Sequence, residues 1–258
     1  MDSDDKIEVL DLQEYRAEHS LVEDETKWAD RRISEAVVNY YDVSVSATAA
    51  SVKFPYFDSQ GVRQASKIRN VGKVFSTEGD FKDCVLFGMH TMDKASARRS
   101  DTIIVTEGEA DALAAFQMAN SIPTGALTLP KKGKALVAAI SIKSGAASAE
   151  RDFKNHLEFL EGFRRVFICF DSDDKGQQQV DKCAKLLRPG KAFIVSLEHK
   201  DACEYTKNGL ETEFLAHLQD SQCYTPAGIC NASTNFEGLW SEQNLASIDF
   251  PWAGLQSK

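Results

Sequence analysis

The sequence predicts an α/β protein with a mostly parallel sheet flanked by helices, preceded by a smaller, basic α+β subdomain. Two stretches carry that prediction. Thr102–Ala115 is a β-branched run (Ile103, Ile104, Val105) ending in Glu107-Gly108-Glu109, after which apolar residues recur at helical spacing (Ala112, Leu113, Phe116, Met118). About sixty residues on, Arg165–Phe170 repeats the design and ends in Asp171-Ser172-Asp173, with a helical pattern after Lys175-Gly176. A third observation is the strand–helix alternation around both, which favours parallel pairing.

Both stretches read as buried strands with acids at their carboxyl ends, where open α/β sheets place ligands. Alternation sets Asp171 and Asp173 on one side of their segment. If the strands are neighbours, Glu107, Asp171 and Asp173 converge. Such crowding of like charge is costly unless a cation neutralises it. Oxygen donors without His or Cys favour Mg²⁺ or Mn²⁺ over zinc. One acidic strand end alone fits an ordinary α/β domain; two in the same arrangement fit a site.

The 258 residues suffice for one large or two small domains, and the 43% hydrophobic content supports a packed core. No apolar run is long enough for a membrane span, and the acidic start does not read as a signal or transit peptide, so a cytoplasmic compartment is expected. The six cysteines form no C-x-x-C and no zinc-type spacing with histidine, so reduced thiols without zinc are expected. Net charge is −9, but residues 1–30 hold eleven acids against three bases, leaving −1 for residues 31–258. The body is therefore near neutral with local basic patches.

In chain order, residues 1–30 read as an acidic arm or peripheral helix, and Ser34 caps a short helix to Tyr41. Lys53–Phe57 and Val62–Arg69 read as strands joined by the turn Asp58–Gly61. Residues 53–75 carry five basic side chains (Lys53, Arg63, Lys67, Arg69, Lys73) against one acid, Asp58. Arg63, Lys67 and Arg69 share a strand face suited to phosphates; a solvated outer face is the alternative. Cys84–Gly88 and a helix-like Met89–Ala97 complete a basic subdomain over 31–100. The central domain, 101–220, continues with a strand at Gly125–Leu129 and a lysine-bearing, Ala-rich stretch holding Lys131, Lys132, Lys134 and Lys143. It then shows helices over Glu150–Gly162 and Gln177–Leu187 and a strand at Ala192–Leu197 that leads to Asp201 and Glu204. Residues 221–258 resemble a linker, and no G-x-x-x-x-G-K-[ST] loop occurs.

The paired motifs E-G-E-A-D-A-L and D-S-D-D-K-G-Q resemble those of the Toprim fold, shared by primases, topoisomerases and some nucleases. From Ile33 to Gly209 the order of features is similar to the primase part of bifunctional primase-helicases of the T-seven-like phage and Twinkle type. The matching residues are Val105–Leu113, Phe170–Gly176, His199–Glu204 and the basic segment Ser66–Lys73. The family's four-cysteine zinc module and its helicase domain have no counterpart in this sequence, and Pro130–Lys143 looks inserted.

The resemblance implies DNA-templated synthesis of RNA primers by two-metal nucleotidyl transfer. Glu107, Asp171 and Asp173 are the expected catalytic metal ligands, with Asp111 and Asp201 as further ligands or orienters. Glu109 could instead serve its helix N-terminus. Lys67, Arg69, Lys73 and Arg63 are expected to bind nucleotide and primer, and Lys131, Lys132, Lys134 and Lys143 to bind DNA. Implied partners are single-stranded template, ribonucleoside triphosphates, a hexameric helicase in cis or trans, and a separate zinc module. An organellar location is what a Twinkle-type relative would imply. A Toprim nuclease and a silent DNA-binding module of a helicase are the rival readings; a basic segment before the Toprim core and the retained acids favour primase.

Overall fold

The computed structural model describes residues 28–46, 51–70, 74–94, 101–120 and 137–226. The expected acidic arm to residue 27, the strand at Gly125–Leu129, Lys73, Lys131, Lys132, Lys134, Cys230 and the tail from residue 227 lie outside them. The described residues through Tyr224 belong to one compact unit.

A 3₁₀ turn at Trp28–Arg31 and helix α1 (Glu35–Tyr40) lead into an antiparallel sheet ordered β1 (Ser44–Val45), β2 (Val52–Phe57), β3 (Arg63–Arg69), β4 (Phe75–Gly79). Pro55 sits within β2 but opposite β3 only, because β1 pairs no further than Lys53. Its missing N–H therefore costs no ladder bond on the β1 side. The sequence gives little sign of β4, whose residues are all exposed and thus lack the burial alternation that marks a strand.

After helix α2 (Thr91–Lys94), the second sheet runs β6–β5–β7–β8–β9. Its strands are β5 (Thr102–Thr106), β6 (Ala138–Ser141), β7 (Arg165–Cys169), β8 (Ala192–Ile194) and β9 (Gln222–Cys223). All pair in parallel except β8–β9. Helices α3 (Glu109–Asn120), α4 (Ala149–Asn155), α5 (Leu157–Glu161), α6 (Asp174–Ala184), α7 (Ala202–Asn208) and α8 (Glu211–Asp220) complete the described chain. The expected helix over 150–162 is thus two, broken at His156, whose ring pairs with the Asp152 carbonyl at 2.8 Å.

Alternation along β5 feeds two cores. Ile104 packs with α3, Phe167 and the antiparallel sheet's Phe54 and Tyr56, whereas Ile103 and Val105 pack with Phe153, Phe163 and Val180 on the other face. Burial of both faces explains why β5 and β7 read as continuous apolar runs. Strand β6 is an alanine run that the sequence does not announce. Small side chains suit its position: the Tyr41 hydroxyl donates to the Ala139 carbonyl at 2.8 Å, and a Cβ on Gly88 would stand 2.9 Å from that same oxygen. Rings of Tyr56 and Phe54 meet Phe87 at 5.9 and 5.7 Å, tying the basic sheet to the central one.

Candidate active site

Strands β5 and β7 are adjacent and parallel, with Thr106 opposite Cys169. Glu107 and Asp171 therefore leave the same edge of the sheet. The Glu107 Oε1 accepts from the Ala146 amide at 3.0 Å, while its Oε2 is buried and meets no hydrogen-bond donor. Gly145, at φ 71°, turns the loop after β6 toward that carboxylate. Asp111 lies in the first turn of α3, and its Oδ1 accepts from the Cys203 amide at 3.1 Å. A Cβ on Gly108 would stand 2.6 Å from Asp111 Oδ2, so the glycine of E-G-E makes room for a third carboxylate. Asp201 caps α7 by accepting from the Glu204 amide at 3.0 Å. The Ser172 amide donates to the Lys200 carbonyl at 2.9 Å, joining the loops that present Asp171 and Asp201.

This crowding acts on Asp171 and Asp111. Burial, then Asp111, Glu107 and Asp201, push Asp171 up to about 7, against the pull of Lys200. Burial and Asp201 raise Asp111 to about 6. Ligand atoms of Asp111, Asp201 and Cys203 all lie within 4.8 Å of one another. Burial and Asp111 hold the Cys203 thiol well above its ordinary value, so the carboxylates are the more readily ionised donors of the group. An unsatisfied buried oxygen, crowded acids and an oxygen donor set fit a divalent hard cation.

Asp173 sits differently from its neighbours. It is exposed and caps α6, accepting from the Gly176 amide at 2.8 Å. The acids that act on Asp171 include Glu107, Asp111 and Asp201, so Asp111 and Asp201 join Glu107 around it, while Asp173 is the exposed member of the group. Gly176 itself is a close approach: a Cβ there would fall well inside van der Waals contact with the Asp171 carbonyl oxygen, a backbone atom that cannot swing aside. Gly176→Ala is therefore expected to displace the start of α6 and the Asp173 cap. The variant's melting temperature should fall by roughly 5 °C or more, about the shift for losing 2 kcal/mol in a domain of this size. A wild-type thermal melt for Gly176→Ala would show that the contact is relieved at no cost.

A basic wall faces the acids. Lys67 Nζ donates to Glu109 Oε1 at 2.7 Å and to the Lys143 carbonyl at 3.2 Å. Glu109 is 5% exposed and also accepts from the Tyr56 hydroxyl at 2.6 Å. Its carboxylate is thus engaged by β2 and β3 side chains. Arg69 lies near Arg31, Asp111 and Asp201: burial and then Arg31 lower its pKa, and the acids oppose the shift. Burial opposes the Arg31 charge as well, but Cys203, Asp111 and Asp201 outweigh it and raise that guanidinium. Sequence reasoning missed Arg31, since the Arg31-Arg32 pair directly follows the acidic arm and belongs to no strand or helix pattern. Arg63, at the other end of β3, is exposed and donates to Ser66 Oγ at 2.8 Å. Lys143 donates to the Cys84 carbonyl at 2.7 Å. With Lys67, Lys82 and Arg151 it lines a groove of about 550 Å³.

A family model described as Toprim-like matches residues 104–206. The DNA helicase/primase of Enterobacteria phage T3 is 28% identical over 178 residues, which is 69% of this chain and 28% of that protein. The chain thus spans little more than a quarter of that relative's length. The crystal structure of the primase fragment of the bacteriophage T7 primase-helicase is 26% identical with a TM-score of 0.60, over 74% of this chain and 73% of the fragment. Primase domains of the same phage, in a structure with its lagging-strand DNA polymerase, an RNA/DNA hybrid and dTTP, match with 25% identity and a TM-score of 0.61, over 77% of this chain and 92% of that one. Among the described residues no helix is long and apolar enough to cross a membrane. The Toprim-like match covers most of the parallel sheet and its helices, and together with the antiparallel sheet before it the chain has the fold of that phage primase fragment.

Proposed function

We propose that this chain makes short RNA primers on single-stranded DNA by nucleotidyl transfer, as the primase part of a replicative primase-helicase. One observation carries the reading: Glu107, Asp111, Asp171 and Asp201 converge at the carboxyl edge of the parallel sheet, with Arg69 near Asp111 and Asp201 and Lys67 held on Glu109, two residues from Glu107. Phosphate-bearing substrates need this combination of crowded acids for divalent cations and fixed cations for the charge that remains.

Glu107, Asp171, Asp111 and Asp201 would hold the divalent ions, Mg²⁺ or Mn²⁺, and Asp173 would join through the oxygen its cap leaves free. Bound there, a pair of such ions would acidify the attacking 3′-hydroxyl and stabilise charge on the oxygens around the α-phosphate. Lys67 and Arg69 would orient the triphosphate from the opposite wall, each anchored by the acids behind it. Arg31 would balance the charge of Asp111 and Asp201 when the site is empty. Arg63, Lys73 and Lys143, with Lys131, Lys132 and Lys134, would extend the electrostatic track for primer and template. A zinc module and a hexameric helicase, in cis or trans, remain the partners of this reading.

The test is incubation with labelled ribonucleotides, Mg²⁺ and mixed-sequence single-stranded DNA. Short RNA products are expected. DNA fragments in their place would turn the reading to a nuclease, and neither product, with DNA still bound, would turn it to a silent binding module.

A further inference from the structure

Phe75 is 51% exposed on edge strand β4, beside Val74 at 61%. A single exposed ring needs no explanation by itself; its neighbours are what distinguish this one. Phe75 pairs directly with Arg69 across the β3–β4 ladder, and Lys67 pairs with Thr77. Both cations lie against the ring, Lys67 Nζ at 5.7 Å and the Arg69 guanidinium carbon at 5.8 Å from its centroid. The same Lys67 reaches Glu109, and the same Arg69 lies near Asp111 and Asp201. The ring therefore sits beside both cations of the basic wall, which reach it from the one neighbouring strand, and it opens to solvent.

We infer that Phe75 is a base-stacking residue for the single-stranded DNA template, which rests on the proposed priming function. Nucleic acid without secondary structure offers an alternation of anionic phosphate and flat aromatic base. Proteins that hold it combine a cationic track with aromatic faces, and stacking is tolerant of sequence because every base has a π-face. An exposed ring beside two cations on one hairpin matches that combination. An apolar protein partner fits less well, because among the described residues the patch holds one ring and one valine beside charged neighbours, too small for a stable protein interface.

The test is fluorescence anisotropy of a labelled oligo(dT) and of an otherwise identical abasic oligomer, with Phe75→Ala, Phe75→Leu, Phe75→Trp and Arg69→Gln variants whose folding is checked by circular dichroism. Phe75→Ala and Phe75→Leu should bind oligo(dT) about tenfold more weakly, and Phe75→Trp should retain the affinity. On the abasic oligomer the Phe75 variants should match the wild type. Arg69→Gln should instead flatten the dependence of affinity on salt for both oligomers, while Phe75→Leu leaves that slope unchanged. Equal losses for Phe75→Leu on both oligomers, or none on either, would overturn the stacking role while leaving the priming reading intact. A wild-type chain that binds neither oligomer would overturn both.

Discussion

Asp171→Asn is expected to lose RNA synthesis by on the order of 10³-fold or more, the scale for removing a group that acts only on transition-state charge. The same variant should be more stable than the wild type at pH 8 in a chelator. Both outcomes come from one fact: Asp171 leaves β7 into a site already holding Glu107, Asp111 and Asp201, and it is pushed up to about 7 by burial and then by those acids. An unfolded aspartate titrates near 4. Between about pH 4 and pH 7 the folded protein therefore binds more protons than the unfolded chain, and stability falls as pH rises. The contribution is complete below about pH 4 and is lost as pH rises through about 7. Asparagine carries no charge and removes this slope. The group is only partly buried, so the gain should be small, on the order of a few degrees in melting temperature. Mg²⁺ should close the gap by stabilising the wild type alone. The measurement is a pair of melts, with chelator and with Mg²⁺, at pH 5 and pH 8, beside a primer-synthesis assay. Undiminished synthesis, or a wild type that outlasts the variant at pH 8 in chelator, would remove Asp171 from the metal site.

The chemistry of that site was more legible than its geometry. Buried parallel strands announce themselves because both faces are covered, so β5 and β7 appear as unbroken β-branched runs ending in acids. Their adjacency was a condition that only the sheet order could supply. Strand β6 hid in alanines, selected by close packing under Tyr41 and Gly88 and not by strand propensity. Strand β4 hid because an exposed edge has no burial period, and with it went Phe75. The grouping of acids was also partly out of reach. Asp171 and Asp173 share a side in an extended segment, but the turn into α6 spends Asp173 on a helix cap. Asp111 and Asp201, far apart in sequence, meet because α3 and α7 pack together, and the Cys203 amide bonds Asp111.

Glu109 is the residue for which the structure changes the expectation most, and its substitution should separate binding from chemistry. A carboxylate at the first position of a helix is stabilised there without any further role. This one is buried and shared between Tyr56 and Lys67, from two strands of the opposite sheet. Burial and the neighbouring Glu109 hold the Tyr56 hydroxyl well above its ordinary value, so it remains a donor. On the proposed function Glu109 would be a positioning residue: it holds the Lys67 ammonium between the two sheets, where the proposed triphosphate would lie. Glu109→Gln keeps an acceptor for Tyr56 and removes the charge that anchors Lys67. The expected result is a rise of about tenfold in KM for ribonucleotides, equivalent to ~1.4 kcal/mol of binding, with kcat within about threefold of wild type. Glu109→Leu should be worse in a second way, since the buried Tyr56 hydroxyl then lacks a partner, at a cost of about 1–3 kcal/mol in stability. Lys67→Ala should raise KM alone, and adding Glu109→Gln to it should cost little more, because the two residues act as one unit. Losses that simply add in the double variant would mean that Glu109 supports the helix and not the lysine. A fall in kcat with KM unchanged would instead move Glu109 from the basic wall to the metal side of the site.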